Sequence, residues 1–430
     1  MISRTAMVRE NMAVLDERDR ELLEGKHGEA SRMAMSVVAR MAEISGAPSL
    51  IDITSAHIDS CLYHGNVGLE FAQRLVDGGA RVVVPTTLNV GALDLLHPEH
   101  SRADPEWKAS GSHLMDLYVQ MGCRPTWTCA PYQMEPRPRF GEQIAWAESN
   151  AIVFANSVIG ARTDRYGDFI DICAALTGRV PFSGLHVTEN RRARISFRLH
   201  AIDDALLGED VFYPLLGLVI GERAGSAVPV IEGLPSDTSE DSLKALGAAA
   251  ASSGSVALFH AVGVTPEADT LEEATQGRGP EEAVDVTPPM IAAARESLLT
   301  AAGRDLSAVS IGTPHFSVAE FEGLLPLLDG SRARVDFYIS TSRAVLQEIQ
   351  RRGWLQAVHD ANAKIIVDTC TYVTPIIGHH GGMIMTNSAK WAYYAPGNLG
   401  VDVFFGSTEE CVRSAMLGRV WTNESLWSRL

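Results

Sequence analysis

Six cysteines, Cys61, Cys123, Cys129, Cys173, Cys370 and Cys411, have the widest chemical reach in this chain, and no two of them form a CxxC pair. Without such a pair there is neither a zinc ribbon nor a thioredoxin-type dithiol, so a metal centre has to be assembled from distant segments. Cys129 in TWTCAPY and Cys370 in IIVDTCTYVTP each end a short β-branched run and enter a proline-containing loop. Cys61 in SAHIDSCLYHG follows a third such run, in a polar loop beside His57, Asp59 and His64. These three are the candidate metal ligands; the competing reading for each is a small buried hydrophobe, the usual place of a free cysteine. Cys123 and Cys129 read as members of one strand, ~20 Å apart at ~3.3 Å per residue, which assigns Cys123 to structure. Cys173 and Cys411 fall in helical patterns and are assigned to the core.

Other side chains suit the handling of a small acid. Ser55 and His57 stand at a strand end, where they can bind substrate or orient a water; His57 also reads as a hydrogen-bonded loop histidine. Arg162 and Thr163 in GARTDR offer a carboxylate a bidentate guanidinium and a hydroxyl, against a structural salt bridge as the alternative. Ser388 and Lys390 in TNSAK form a second polar pair, against a helix cap and a solvated lysine. Thr86, Thr87, Thr313, His315, Ser340 and Asp368 also end β-branched runs, where Ser, Thr and Asp commonly serve as caps.

The elements that must position these groups repeat one pattern: a β-branched run, a polar loop, then an amphipathic helix. SLIDITSAH (49–57), RVVVPTTLN (81–89), AVSIGTPHFS (308–317), RVDFYISTS (334–342) and AKIIVDTC (363–370) are the runs, and together they predict a layered α/β fold. In such sheets ligands bind in crevices at the carboxyl ends of the strands, which is where the polar clusters lie. Residues 1–46 read as an N-terminal helical segment, with two helices between Leu15 and Ile44. Residues 47–265 read as a first α/β lobe, 266–289 as an acidic Gly/Pro-rich connection and 290–430 as a second α/β lobe.

Composition narrows the partners. The 430 residues are 46% hydrophobic and 21% charged, ordinary for a globular enzyme. A net charge of −17 opposes nucleic acid and anionic membrane surfaces. The chain offers no apolar stretch of the ~20 residues a membrane span needs, and no secretory apolar region. A cytoplasmic location with reduced thiols follows as the expectation. Neither GxxxxGK[ST] nor a strand-borne GxGxxG occurs.

The run GEQIAWAESNAIVFANSVIGARTDRYGDFIDICAALTGRVPFSGLH (141–186) resembles the aconitase X family. So do LLEGKHGEASRMAM (22–35), AHIDSCLYHG (56–65), VPTTLN (84–89), TCAPYQ (128–133), GTPHFSVAEF (312–321), DTC (368–370) and MTNSAKWAYYAPG (385–397). The resemblance implies an aconitase-like fold of layered α/β/α domains with a strand-end active site, here without the small swivel domain. It also implies a dehydratase acting on a small hydroxy acid at an iron–sulfur cluster. The partner implied is a small swivel-domain subunit, which in related aconitases supplies a serine base.

Two branches of the family act on different substrates: the bacterial-type branch converts cis-3-hydroxy-L-proline to Δ1-pyrroline-2-carboxylate, and the archaeal-type branch dehydrates phosphorylated mevalonate. Thr313 stands where the archaeal-type pattern has cysteine, and Cys61 matches the bacterial-type loop. That exchange favours a [2Fe–2S] cluster on Cys61, Cys129 and Cys370 over a [4Fe–4S] cluster. Asp164 stands where the family pattern leads one to expect asparagine. The alternatives are a mevalonate 5-phosphate dehydratase subunit, for which no compact Lys/Arg cluster appears at a strand end, and a non-catalytic iron-binding subunit.

Overall fold

The computed structural model describes residues 14–300, 303–378 and 382–430; residues 1–13 of the expected N-terminal helical segment lie outside the described residues. Two helices, Glu17–Leu23 and Glu29–Ser45, open the described chain. The first starts in a capping box in which Asp16 and Asp19 satisfy each other's backbone N–H groups. Arg179 holds it down: its guanidinium reaches Asp19 at 2.9 Å and Asp16 at 2.8 Å, and Asp19 is fully buried.

Three parallel sheets follow in order. The first pairs β2 (Ala56–Ile58) with β3 (Thr86–Leu88) on one side and β4 (Ala145–Trp146) on the other, next to a small antiparallel pair of β1 (Leu50–Asp52) and β5 (Arg179–Pro181). The second runs β8 (His260–Ala261), β7 (Pro229–Glu232), β6 (Ile195–Arg198), β9 (Glu282–Asp285). The third runs β12 (Ala363–Ile366), β11 (Asp336–Thr341), β10 (Leu306–Phe316), β13 (Met383–Thr386), β14 (Val403–Phe405). In each sheet the strand that comes first in the chain is internal, and later strands are added on both sides of it. Connections therefore leave β2, β6 and β10 in opposite directions, which opens a crevice beyond their carboxyl ends.

Parallel strands covered on both faces read as apolar runs, and β10 is buried along nearly its whole length. Gly312 lets β10 pass close to β11: its φ is 89°, and a Cβ there would stand 2.2 Å from the Ser340 carbonyl oxygen. The helices Phe212–Ala224 and Glu240–Ser253 also pack backbone to backbone, since a Cβ on Gly217 would meet the Leu246 carbonyl oxygen at 2.3 Å.

Three expectations change. The stretch 266–289 is not a bare connection: it holds the helix Leu271–Ala274 and β9, which pairs with β6 through Ser196–Ala283 and Phe197–Val284. Only Val284 of β9 is buried, so an edge strand reads in composition as a linker. Consequently 47–265 spans the first sheet and three strands of the second. Lastly, no strand joins Cys123 to Cys129 among the described residues; Trp127, at φ 46°, turns the chain between them.

Candidate active site

The carboxyl ends of the first and third sheets face one another, and there Cys129, His315 and Cys370 come together with their ligand atoms within 4.8 Å of one another. All three are buried. The His315 backbone N–H donates to Cys129 Sγ at 3.3 Å, and Cys370 Sγ lies 4.0 Å from His315 Nε2. Both ring nitrogens of His315 are engaged, Nδ1 with Thr128 Oγ1 at 2.9 Å and Nε2 with the Thr369 carbonyl at 3.3 Å. Burial pushes the imidazole down to about 4, so it is neutral at physiological pH.

Cys370 is aimed by Asp368, which adopts φ 64° and is fully buried. Arg343 grips the Asp368 carboxylate through two hydrogen bonds of 2.6 Å, while Leu95 N–H donates to it at 3.1 Å and Gly91 N–H donates to its carbonyl at 2.7 Å. A non-glycine residue is held left-handed only where its surroundings over-determine it, and here four bonds do so.

A cavity of about 340 Å³ opens beside the thiols, lined by Asp59, Asn89, Cys129, Glu148, Cys370 and Lys390 among others. Glu148, at φ 75°, caps the helix Ser149–Phe154 by accepting from Ala151 N–H at 2.8 Å. Its carboxylate also receives a hydrogen bond from Lys390 Nζ, a buried ion pair joining the two sheets. Burial pushes the Glu148 carboxyl up, but the Lys390 ammonium and the cap outweigh it and leave the group ionised. Asp59 is driven the other way, up to about 8, by burial and then by the negative Glu148 and Asp168. Two carboxyls with opposed protonation in one cavity are the arrangement that separates an acid from a base.

The donor set fits a metal. Burial raises the Cys61 thiol well above its ordinary range, and Cys370 is raised by its neighbour Cys129 and by burial, so the thiols stay protonated unless a cation supplies compensating charge. Sulfur and imidazole donors suit iron or zinc. Thr313 Oγ1 and Asn89 Oδ1, both in the cavity wall, are buried without a hydrogen-bond partner among the described residues, as a site shaped for a polar ligand would leave them.

Of the residues singled out in the sequence, Cys129, Cys370 and Lys390 meet in this cavity. Ser388 stands at its back, capping the helix Ala389–Leu399 and donating to the Thr313 carbonyl. His57 is buried behind it, its Nδ1 2.8 Å from Thr87 Oγ1 and its Nε2 unpartnered among the described residues, and burial pushes its ring down to about 3. Cys61 is not drawn into the group of three: its S–H points at the carbonyls of Ile58 and Asn89 at 3.4 and 3.5 Å, although its neighbours Asp59 and Leu62 line the cavity.

Ser55, Arg162 and Thr163 are not among the lining residues. Ser55 faces a separate apolar cleft with Val84, Pro85 and Met134. Arg162 is tied to the His186 carbonyl at 3.3 Å and Thr188 Oγ1 at 2.7 Å. Thr163 bonds both backbone groups of Trp146, which fixes the chain two residues before Glu148. Asp164 packs against Gly184. The residue that sequence reading missed is Glu148; its one signal is an acidic side chain directly after a buried apolar run, AWAE.

Comparison with known proteins matches residues 12–189 to the aconitase X first domain, 193–296 to the second and 306–417 to the third. The cis-3-hydroxy-L-proline dehydratase of Pseudomonas aeruginosa is 43% identical over 94% of this chain and 70% of its own length. That of Hypocrea jecorina is 42% identical over 94% and 69%. The phosphomevalonate dehydratase large subunit of Methanosarcina mazei is 34% identical over 94% and 98%. The crystal structure of Thermococcus kodakaraensis aconitase X in its holo-form superposes with a TM-score of 0.84 at 35% identity, covering 94% of this chain and all of that one.

Proposed function

The chain belongs to the aconitase X family and is a hydro-lyase, and we propose that it dehydrates cis-3-hydroxy-L-proline to Δ1-pyrroline-2-carboxylate. The observation that carries this reading is the meeting of Cys129 and Cys370 in one cavity with the Glu148–Lys390 pair and with Asp59, whose carboxyl burial pushes up to about 8. Identity of 42–43% to two dehydratases of that substrate supports the choice of acid.

Cys129 and Cys370 would hold an iron–sulfur cluster as thiolates, with Cys61 as the third. His315 is less suited to ligation because both its ring nitrogens already have partners, whereas the Cys61 thiol gives up only long, weak S–H contacts. The presence of Cys61 together with Thr313 in place of a cysteine favours [2Fe–2S] over [4Fe–4S]. When bound, the cluster supplies a Lewis acid that eases departure of the substrate hydroxyl.

The chain's own side chains do the rest. Asp59, protonated near neutral pH, gives its proton to the departing hydroxyl, which leaves as water. Lys390 presents an ammonium to the substrate carboxylate from a position that Glu148 fixes. The Thr313 hydroxyl, unpartnered among the described residues, offers a hydrogen bond at the wall, and neutral His57 stands behind it. The proton on the carbon beside the carboxylate goes to a base on the small swivel domain, which we place in a partner subunit; the enamine left behind tautomerises to the cyclic imine. A cytoplasmic setting, where thiols stay reduced, suits this centre.

Phosphomevalonate dehydration is the second reading, favoured by the 98% coverage of the archaeal large subunit. It asks for a basic phosphate pocket, and Lys390 is the lysine in the cavity lining and is already paired with Glu148. Anaerobic co-expression with the small subunit and assay of both acids decides between them. Turnover of cis-3-hydroxy-L-proline supports the reading, and turnover of the phosphorylated acid alone overturns it.

A further inference from the structure

Away from the cavity, a second group of ligand atoms is brought together by Asp94, His97 and His100, one from each residue, all within 4.8 Å of one another. We propose that this trio binds a divalent transition-metal ion, such as Zn²⁺, that braces the contact between the first and third sheets.

The local chain explains the convergence. Asp94 Oδ1 accepts from the N–H groups of Leu96 and His97, both at 2.9 Å, and so closes a tight turn. A 3₁₀ turn, Pro98–His100, comes next. Three residues per turn eclipse positions i and i+3, so the rings of His97 and His100 stack with centroids 5.2 Å apart and 25° between planes. The turn thus sets two imidazoles on one face with the Asp94 carboxylate beside them; His97 Nδ1 lies 3.2 Å from Asp94 Oδ2. Donors 2.0–2.1 Å from a tetrahedral ion stand roughly 3.3 Å apart, so little movement is needed to admit one.

Two further facts point to a ligand. His100 Nδ1 is buried and has no hydrogen-bond partner among the described residues, an orphan that coordination would satisfy. Asp94 is 1% exposed, and among the described residues its Oδ2 accepts only from Val367 N–H at 3.2 Å and the His97 ring. A carboxylate and two imidazoles suit Zn²⁺, Ni²⁺ or Fe²⁺ rather than Mg²⁺ or Ca²⁺, which prefer all-oxygen sites.

The position gives the ion a consequence. Asp94 bonds the backbone at Val367, Leu95 bonds Asp368, and Arg102 Nε donates to the Ile376 carbonyl at 2.9 Å, so this loop clasps the segment that carries Cys370 from both sides. A filled site stiffens that clasp.

The test adds Zn²⁺ to the holoenzyme, whose cysteine centre is already loaded, and to its His100→Ala and His97→Ala variants. Both histidines are partly exposed, and these substitutions leave the core untouched. Bound zinc is counted by elemental analysis after gel filtration, and the thermal midpoint is followed with and without Zn²⁺. The wild type should hold one equivalent more than either variant and gain several degrees that the variants do not. In a protein with Cys129→Ser and Cys370→Ser, Co²⁺ should still bind one equivalent without a thiolate charge-transfer band. Equal zinc content in the wild type and the His100→Ala variant, or an equal thermal gain in both, overturns the proposal.

Discussion

Glu148 and Lys390 form a buried ion pair across the face between the first and third sheets, 6% and 5% exposed respectively. Neither side chain has an apolar reason to be there, and each is held at a helix start, Glu148 as a cap and Lys390 in the first turn after Ser388. Burying two charges is costly, and here the pairing and the helix cap offset that cost while fixing both groups in one orientation.

Lys390→Met leaves the Glu148 carboxylate buried and unpaired, which should cost about 3–5 kcal/mol of stability, measured by denaturant unfolding. Its pH window is wide. Glu148 is held below its ordinary 4.5, so its contribution is present above that value and fades as acid drives the pH down through its folded pKa. Lys390 is held above its ordinary 10.5, so its contribution is present below 10.5 and fades as pH rises through its folded pKa. Lys390→Met should also raise KM for the hydroxy acid, whereas Glu148→Gln should lower kcat through a misplaced ammonium. Unchanged kinetics in both variants would remove the pair from the site.

The proposed acid role of Asp59 sets a basic limit on the expected activity. As a proton donor raised to about 8, it should give a kcat that holds at neutral pH and falls tenfold per unit above 8. Asp59→Asn should lower kcat by about 10²–10⁴-fold and abolish that limb. The stability sign is the reverse of a salt-bridged carboxylate. Between 3.8 and about 8 the folded chain keeps a proton that the unfolded chain has lost, so stability declines as pH rises through that window and levels above it. Removing the acid with Asp59→Asn should flatten the slope, which urea midpoints at a series of pH values measure.

How far the sequence carries is visible in these residues. The layered fold was legible because the apolar runs of β10, β11 and β12 each end in polar residues, a pattern the parallel sheet imposes. The convergence of Cys129 and Cys370 was legible only in part: each ends a β-branched run and enters a proline-containing loop, which marks both as candidate ligands, but with no short spacing between them nothing local says that the two ends meet. Glu148 reads as an ordinary acidic residue, since its positive φ and its partner in the first turn of a distant helix leave no trace in its neighbours. Arg162 misled in the opposite sense, because a guanidinium beside a threonine looks the same whether it grips a ligand or, as here, the backbone at His186.

The Arg343–Asp368 pair ties the third sheet to Cys370. Arg343→Met should strip a fully buried carboxylate of a bidentate partner that is itself 35% exposed, costing about 1–3 kcal/mol. Since Asp368 lies two residues before Cys370, iron content should fall in the same variant without any ligand having been touched, and Arg343→Lys should restore only part of it because ammonium cannot bond both oxygens in parallel. Full iron retention alongside the stability loss would separate the pair from the metal site.

The cysteines divide into two groups by what surrounds them. Cys123, Cys173 and Cys411 lie in apolar surroundings outside the cavity lining, and their replacement by serine should leave iron content unchanged while costing stability. Cys129→Ser and Cys370→Ser should each abolish bound iron, because these thiols meet at the wall of the cavity. The third position separates two chemistries. If Cys61 is the third thiolate, Cys61→Ser empties the centre, and His315→Ala leaves iron bound but shifts its EPR signal, because the His315 backbone N–H to Cys129 Sγ loses its fixed geometry. The opposite pattern, iron kept in Cys61→Ser and lost in His315→Ala, would make the centre a two-thiolate, one-imidazole site matching the described group of three. Absorption and EPR spectra of the four variants, purified without oxygen, read the difference directly.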